Sequence, residues 1–146
     1  MTIPLAEIID WLDRLLDPTR REDYGPNGLQ VEASSVVRRI TTGVTANLAL
    51  IEAAVGSDLL VVHHGLYWGG APSTATGPLG RRLRTLFAHG MSLAAYHLPL
   101  DAHPDVGIAV GLARALGLED LRPAFQYKAA PTGIIGRFTT PVSVGD

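Results

Sequence analysis

The sequence predicts an α/β fold built on a largely parallel sheet with crossover helices, and three observations predict it. The run Leu59-Leu60-Val61-Val62-His63-His64, with Gly56-Ser57 before it and Gly65 after it, reads as a short strand covered on both faces. A strand, helix, strand unit leads into it from residues 39–44, and a second leads out of it to 92–96; each has the length a right-handed parallel crossover needs. Both crossovers end in histidine, with His63 and His64 on one strand end and His97 on the next. In open α/β sheets the crevice beyond the carboxyl ends of the strands is where ligands bind.

Composition narrows the function classes. A chain of 146 residues with 47% apolar content is predicted to be one domain, 1–146, with a sizeable core. No apolar run approaches the roughly 20 residues of a membrane span, and Met1-Thr2-Ile3-Pro4 has neither the basic flank nor the apolar core of a signal peptide, so the expected location is the cytoplasm. Without cysteine there are no disulfides or thiolate sites, which leaves His, Asp and Glu as metal ligands. A net charge of −2 gives no footprint for nucleic acid, and Arg81-Arg82 with Arg84 reads as a solvated helix face.

Taken in order, Leu5, Ile8, Ile9, Leu12, Leu15 and Leu16 have the spacing of an amphipathic helix that Asp17-Pro18 stops. Tyr24-Gly25-Pro26-Asn27-Gly28-Leu29-Gln30-Val31-Glu32 reads as a sharp turn before an apolar stretch; turn chemistry accounts for every residue in it except Gln30. Thr45 or Asn47 can cap a helix running through Ile51 to Val55 and ending at Gly56. The Gly-, Pro-, Ser- and Thr-rich loop 65–78 carries Tyr67 and Trp68 directly after the histidines and reads as a mobile lid or rim. Leu79, Leu83, Leu86 and Phe87 mark the next helix and Gly90 its end. Residues 98–104 are expected to be irregular because two prolines interrupt them, with a helix from 106 to 116 and a strand at 133–138 to follow. The stretch 141–146 then stops without a capping helix, as though in mid-structure.

If the crossovers build one sheet, His63, His64, His97 and Asp101 converge. A His and carboxylate set suits zinc, manganese, iron or nickel, and two ions about 3.5 to 4 Å apart can acidify a shared water and present hydroxide to carbon or phosphorus. Adjacent strand residues point to opposite faces, so His63 and His64 suit two neighbouring ions unless the strand ends between them. The alternative is two imidazoles bonded to backbone groups. His103 and His89 read as surface residues outside the site. Tyr67 and Trp68 either cover the site and stack on a planar substrate or pack on the domain or another subunit.

Four segments in order, Tyr24 to Glu32, Thr42-Gly43-Val44-Thr45, Val61-Val62-His63-His64-Gly65, and Tyr96-His97-Leu98-Pro99-Leu100-Asp101-Ala102-His103-Pro104, resemble the GTP cyclohydrolase I type 2 family, also called Nif-three-like, in its YbgI-type bacterial branch. The resemblance implies a three-layer α/β fold, two divalent metal ions in a cleft, and a homo-oligomer, commonly a hexameric toroid. It assigns His63, His64 and Asp101 as metal ligands and His97 as a site histidine with a catalytic role. The reaction it implies is metal-dependent hydrolysis of a nucleotide-like or other small heterocyclic substrate; a ring-forming metal-binding or partner-binding assembly protein without turnover is the alternative. The match covers the first half of the family fold, so the family's remaining His and Glu ligands have no counterpart. Its Gly-Asn-Asn is replaced by Gly107-Ile108-Ala109.

Overall fold

The computed structural model describes residues 2–69, 74–127 and 130–143. They form two units, one from Met1–Thr19 with Asp23–His97 and the other from Arg20–Glu22 with Leu98–Asp146.

The first unit opens with β1 (Ile3–Pro4) and α1 (Leu5–Leu16), which buries Leu5 and Leu16 and presents Trp11 to solvent. Asp17 stops the helix as expected: it adopts φ 46° and donates its N–H to the Asp13 carbonyl at 2.9 Å. There follow β2 (Gly28–Val31), β3 (Val36–Val37), which pairs antiparallel with β1, and β4 (Ile40–Thr45). Next come α2 (Leu48–Ala53), β5 (Leu59–His64), α3 (Gly77–Ala88) and β6 (Ser92–Ala95). The main sheet has the order β2-β6-β5-β4, parallel except for β2, which is antiparallel to β6. Both predicted crossovers are therefore present.

Alternation along the strands sorts the core. Val31, Leu60, Val62, Leu93 and Ala95 join Ile51, Ala54, Leu86 and Met91 in one cluster under α2 and α3. Fully burying a side chain of this size contributes about 1.5–3 kcal/mol. Contact with α2 is close at Gly43, where a Cβ would stand 2.5 Å from the end of the Leu50 side chain and oblige it to shift. Of the two possible caps, Asn47 is used, its Oδ1 accepting from the Leu50 N–H at 2.8 Å. On the other face Tyr96 reaches α1 and donates its hydroxyl to Asp13 Oδ1 at 2.6 Å. Burial, reinforced by that carboxylate, pushes the Tyr96 pKa far above the usual tyrosine range. Helices on both faces make the three layers expected of this unit.

The second unit holds α4 (Leu98–Asp101), α5 (Ile108–Ala115), β7 (Glu119–Tyr127) and β8 (Ala130–Arg137), the last two pairing antiparallel. Residues 98–104 are thus more regular than the prolines suggest. Pro99 lies in the first turn of α4, where a missing N–H costs nothing. The helix expected from 106 begins at Ile108, after Gly107, whose absent Cβ would meet the His103 carbonyl at 2.2 Å. Strand β7 was not legible: Pro123 and three charged residues, Glu119, Asp120 and Arg122, disguise it, the register shifts between Glu119 and Arg122, and Asp120 and Phe125 have positive φ. The strand expected at 133–138 runs as β8. Within loop 65–78, residues 70–73 lie outside the described set, as do 144–146 of the final stretch. Among the described residues no helix is long and apolar enough to cross a membrane.

Candidate metal centre

Strand β5 is apolar up to Val62 and then presents two imidazoles, with His97 two residues beyond the end of β6. One ligand atom from each of His63, His64 and His97 lies within 4.8 Å of the others, and all three residues are half-buried. Ring centroids are separated by 4.4 Å (His63 to His64), 4.8 Å (His63 to His97) and 5.5 Å (His64 to His97). Strand β5 does not end between His63 and His64, yet their rings meet, because each leans over the sheet's edge toward a different neighbour.

Those leanings are fixed by hydrogen bonds at Nδ1. His63 Nδ1 lies 3.1 Å from the Tyr96 carbonyl, so it carries the proton and donates it. His64 Nδ1 pairs with Thr45 Oγ1 at 2.9 Å, on the residue opposite it in β4. His97 Nδ1 pairs with Asp23 Oδ1 at 2.7 Å. A neutral imidazole whose Nδ1–H is donated has its lone pair on Nε2, the arrangement that outer partners impose on metal-binding histidines. Two donors on one tetrahedral ion with bonds of about 2.0–2.1 Å stand about 3.3 Å apart. The histidines are slightly wider than one ion requires and compatible with one or more. Their chemistry fits a divalent cation that accepts nitrogen.

The turn 23–30 is the frame of this site. Asp23, its side chain 2% exposed, accepts at Oδ1 from His97 and from the Tyr24 N–H (2.6 Å), and at Oδ2 from Asn27 Nδ2 (2.9 Å). Asn27 Oδ1 in turn accepts from the His97 N–H at 2.7 Å. Gln30, which turn chemistry leaves unexplained, is a strut: its Nε2 donates to the Pro26 carbonyl (2.7 Å) and its Oε1 accepts from the Leu66 N–H (2.8 Å). Gly65 makes room for it, since a Cβ there would lie 2.4 Å from the Gln30 amide. Gly28, at φ 95°, has the backbone conformation that a larger residue resists. Sequence reasoning missed Asp23 and the role of Thr45. The only signal for Asp23 was an acid directly preceding the Tyr-Gly-Pro-Asn-Gly turn.

The other candidates separate as follows. His89 caps the end of α3 in solvent, and His103 Nδ1 accepts from the Asp105 and Val106 N–H groups (3.1 and 3.2 Å), a local turn contact. Asp101 ends α4 in the second unit and is half-buried. Trp68 and His97 pack in a T-shaped arrangement, with ring centroids 5.0 Å apart and an 85° interplanar angle; Tyr24 is 6.1 Å from the same histidine ring.

The Duf34/NIF3 (NGG1p interacting factor 3) family model matches residues 3–146. A Pseudomonas aeruginosa protein named GTP cyclohydrolase 1 type 2 homolog is 45% identical over 148 residues, taking in 100% of this chain and 59% of its own length. A crystal structure from Thermus thermophilus superposes with a TM-score of 0.80 at 44% identity, over 84% of this chain and 51% of that one. The ybgI protein, described as of unknown function, superposes with a TM-score of 0.78 at 41% identity, over 83% of this chain and 49% of its own. This chain therefore spans little more than half the length of the relatives it matches.

Proposed function

Since the chain belongs to the Duf34/NIF3 family, we propose that it contributes a His-rich half of a dinuclear metal site in a metal-dependent hydrolase of nucleotide-like or small heterocyclic substrates. The observation that carries this reading is the convergence of His63, His64 and His97 with each Nδ1 already engaged. Three imidazoles oriented in this way are costly to assemble and have a ready use as ligands. His63 and His64 hold the metal, with Asp101 as the carboxylate ligand that the family resemblance assigns. Zinc, manganese, iron and nickel all suit these donors. When bound, the metal supplies an acidified water as nucleophile and polarises the substrate.

The chain's own residues do the rest. His97 takes the catalytic role: the Asp23 carboxylate at Nδ1 orients the ring and leaves Nε2 to face the reacting groups. Trp68 and Tyr24 wall the site and limit water. On this reading the remaining His and Glu that the family resemblance implies complete the ligand set, and the protein works as a cytoplasmic homo-oligomer, hexameric in the family resemblance. A second reading is a metal-binding assembly protein without turnover, since the three side chains that converge among the described residues would by themselves hold two ions weakly.

Metal analysis of the purified protein, followed by a hydrolysis screen over nucleotides and small heterocycles with and without chelator, separates the two. Chelator-sensitive turnover supports the hydrolase. Bound metal with no such turnover, in this chain and in a full-length relative alike, sinks it in favour of the assembly protein.

A further inference from the structure

Beside the histidines is a recess of about 700 Å³ lined by Asp23, Tyr24, Gly25, Pro26, Trp68 and Gly69. We propose that it is a stacking subsite for the planar fused ring of a purine or pterin-like ligand, held against Trp68 and Tyr24. The inference deepens the reading of the adjoining site as a hydrolase by assigning the residues that hold the substrate's ring. It stands on geometry that needs no ion.

Two large aromatic side chains remain open to solvent there, Trp68 at 43% and Tyr24 at 50%. Their position is fixed. Trp68 donates its indole N–H to the Gly65 carbonyl at 3.2 Å, so its polar edge is already paired and what it offers a ligand is a π-face. The Gly69 N–H donates to the Tyr24 carbonyl at 2.6 Å, tying the two rims together. At Gly25 a Cβ would fall 2.3 Å from the Tyr67 carbonyl, so the two backbones touch and the recess is pre-formed.

The chemistry of the lining selects the ligand. Among the described residues Asp23 is the one charged group in the lining, and its oxygens accept from His97, Tyr24 and Asn27 with the side chain 2% exposed. Among the described residues none that lines the recess is basic, which disfavours a phosphate or carboxylate there. Ring faces, Pro26 and glycine backbone remain, a surface suited to a flat uncharged ring. Both aromatic rings lie against His97, so a ring stacked on them brings its edge to the histidine cluster.

The test is equilibrium dialysis of guanosine, adenosine and pterin against the metal-free 146-residue chain, with ribose as the non-planar control. Trp68→Ala is expected to weaken binding of the planar ligands about 5- to 150-fold, the range for loss of one base–aromatic stack. Trp68→Phe and Tyr24→Phe, which keep a ring, should stay within about threefold of wild type. Zinc binding of each variant is measured in parallel, with circular dichroism confirming the fold. Equal guanosine binding by wild type and Trp68→Ala overturns the proposal, as does ribose binding as tightly as guanosine or no planar ligand binding wild type. Any of these with zinc binding and chelator-sensitive turnover intact refutes the stacking subsite and leaves the hydrolase standing. Ring-dependent binding with no chelator-sensitive turnover in this chain and in a full-length relative alike refutes the hydrolase and leaves the subsite.

Discussion

Asp23→Asn asks whether the carboxylate behind His97 shapes the metal site. In the native protein Asp23 meets three donors: His97 Nδ1 (2.7 Å) and the Tyr24 N–H (2.6 Å) at Oδ1, and Asn27 Nδ2 (2.9 Å) at Oδ2. A carboxamide exchanges one acceptor for a donor. Turned one way, its NH2 opposes His97 and Tyr24. Turned the other way, it opposes Asn27, which cannot flip because its own Oδ1 holds the His97 N–H. Either pose strands a shielded N–H, at about 1–3 kcal/mol. His97 also loses the carboxylate that holds its ring in place through Nδ1. Loss of an outer partner of this kind costs about 10- to 100-fold in metal affinity, or about 1.4–2.7 kcal/mol. The assay is competition for zinc against a chromophoric chelator near neutral pH, beside thermal melting of the metal-free protein. We expect zinc affinity to fall by one to two orders of magnitude and the melting temperature by several degrees. Native zinc affinity together with native melting would show that His97 is neither oriented by Asp23 nor part of the metal site.

Three further outcomes are expected. His63→Ala and His64→Ala should each abolish measurable zinc binding, while His89→Ala, at the exposed end of α3, should leave it at the native level; equal loss in all three would mark the binding as non-specific. Gly28→Ala forces a side chain into φ 95° and should cost about 1–2 kcal/mol, seen as a melting temperature lower by several degrees; unchanged melting would reduce the turn to a spacer. Tyr96 keeps its proton in the folded protein well beyond the pH where an unfolded tyrosine loses it, because it is buried and beside Asp13. Its stabilisation is complete below about pH 10 and falls as pH rises further. Urea unfolding at rising pH should show the decline in wild type and a shallower one in Tyr96→Phe.

What was legible in the sequence was whatever depends on periodicity. The apolar run ending in His63-His64 has one reading that suits its length and flanks, and the structure places it as β5 between two parallel neighbours. The 5–16 helix and its stop at Asp17 follow from spacing and a following proline. The site histidines were legible because strand ends in a parallel sheet lie along one edge. Asp23 was not, since it acts over 74 residues of chain and nothing near it in sequence says where His97 will be. Gln30 was visible only as a residue that turn chemistry could not explain, and its partner at Leu66 lies 36 residues away. Thr45 offers itself in the sequence as one of two helix caps, with Asn47, because capping is a local rule, whereas its bond to His64 depends on the pairing of β4 with β5. Strand β7 failed for the opposite reason: its local signals, Pro123 above all, argue against a strand that pairing with β8 nevertheless holds.

The three Nδ1 bonds also order events in time. They join residues 19, 33 and 74 positions apart, and each anchor comes from a different segment: β4, the end of β6, and the turn after α1. Closing loops of that length is slow compared with forming a helix, and the longest closes against the greatest entropy. The three imidazoles are therefore brought into mutual orientation only after β4, β5 and β6 have aligned and the turn has docked. An ion arriving earlier meets scattered histidines that it holds no better than any unfolded chain would. Folding comes first and loading second. Zinc added to a refolding reaction should then leave the refolding rate unchanged and slow unfolding instead, because it acts on a constellation present in the native state and absent from the transition state.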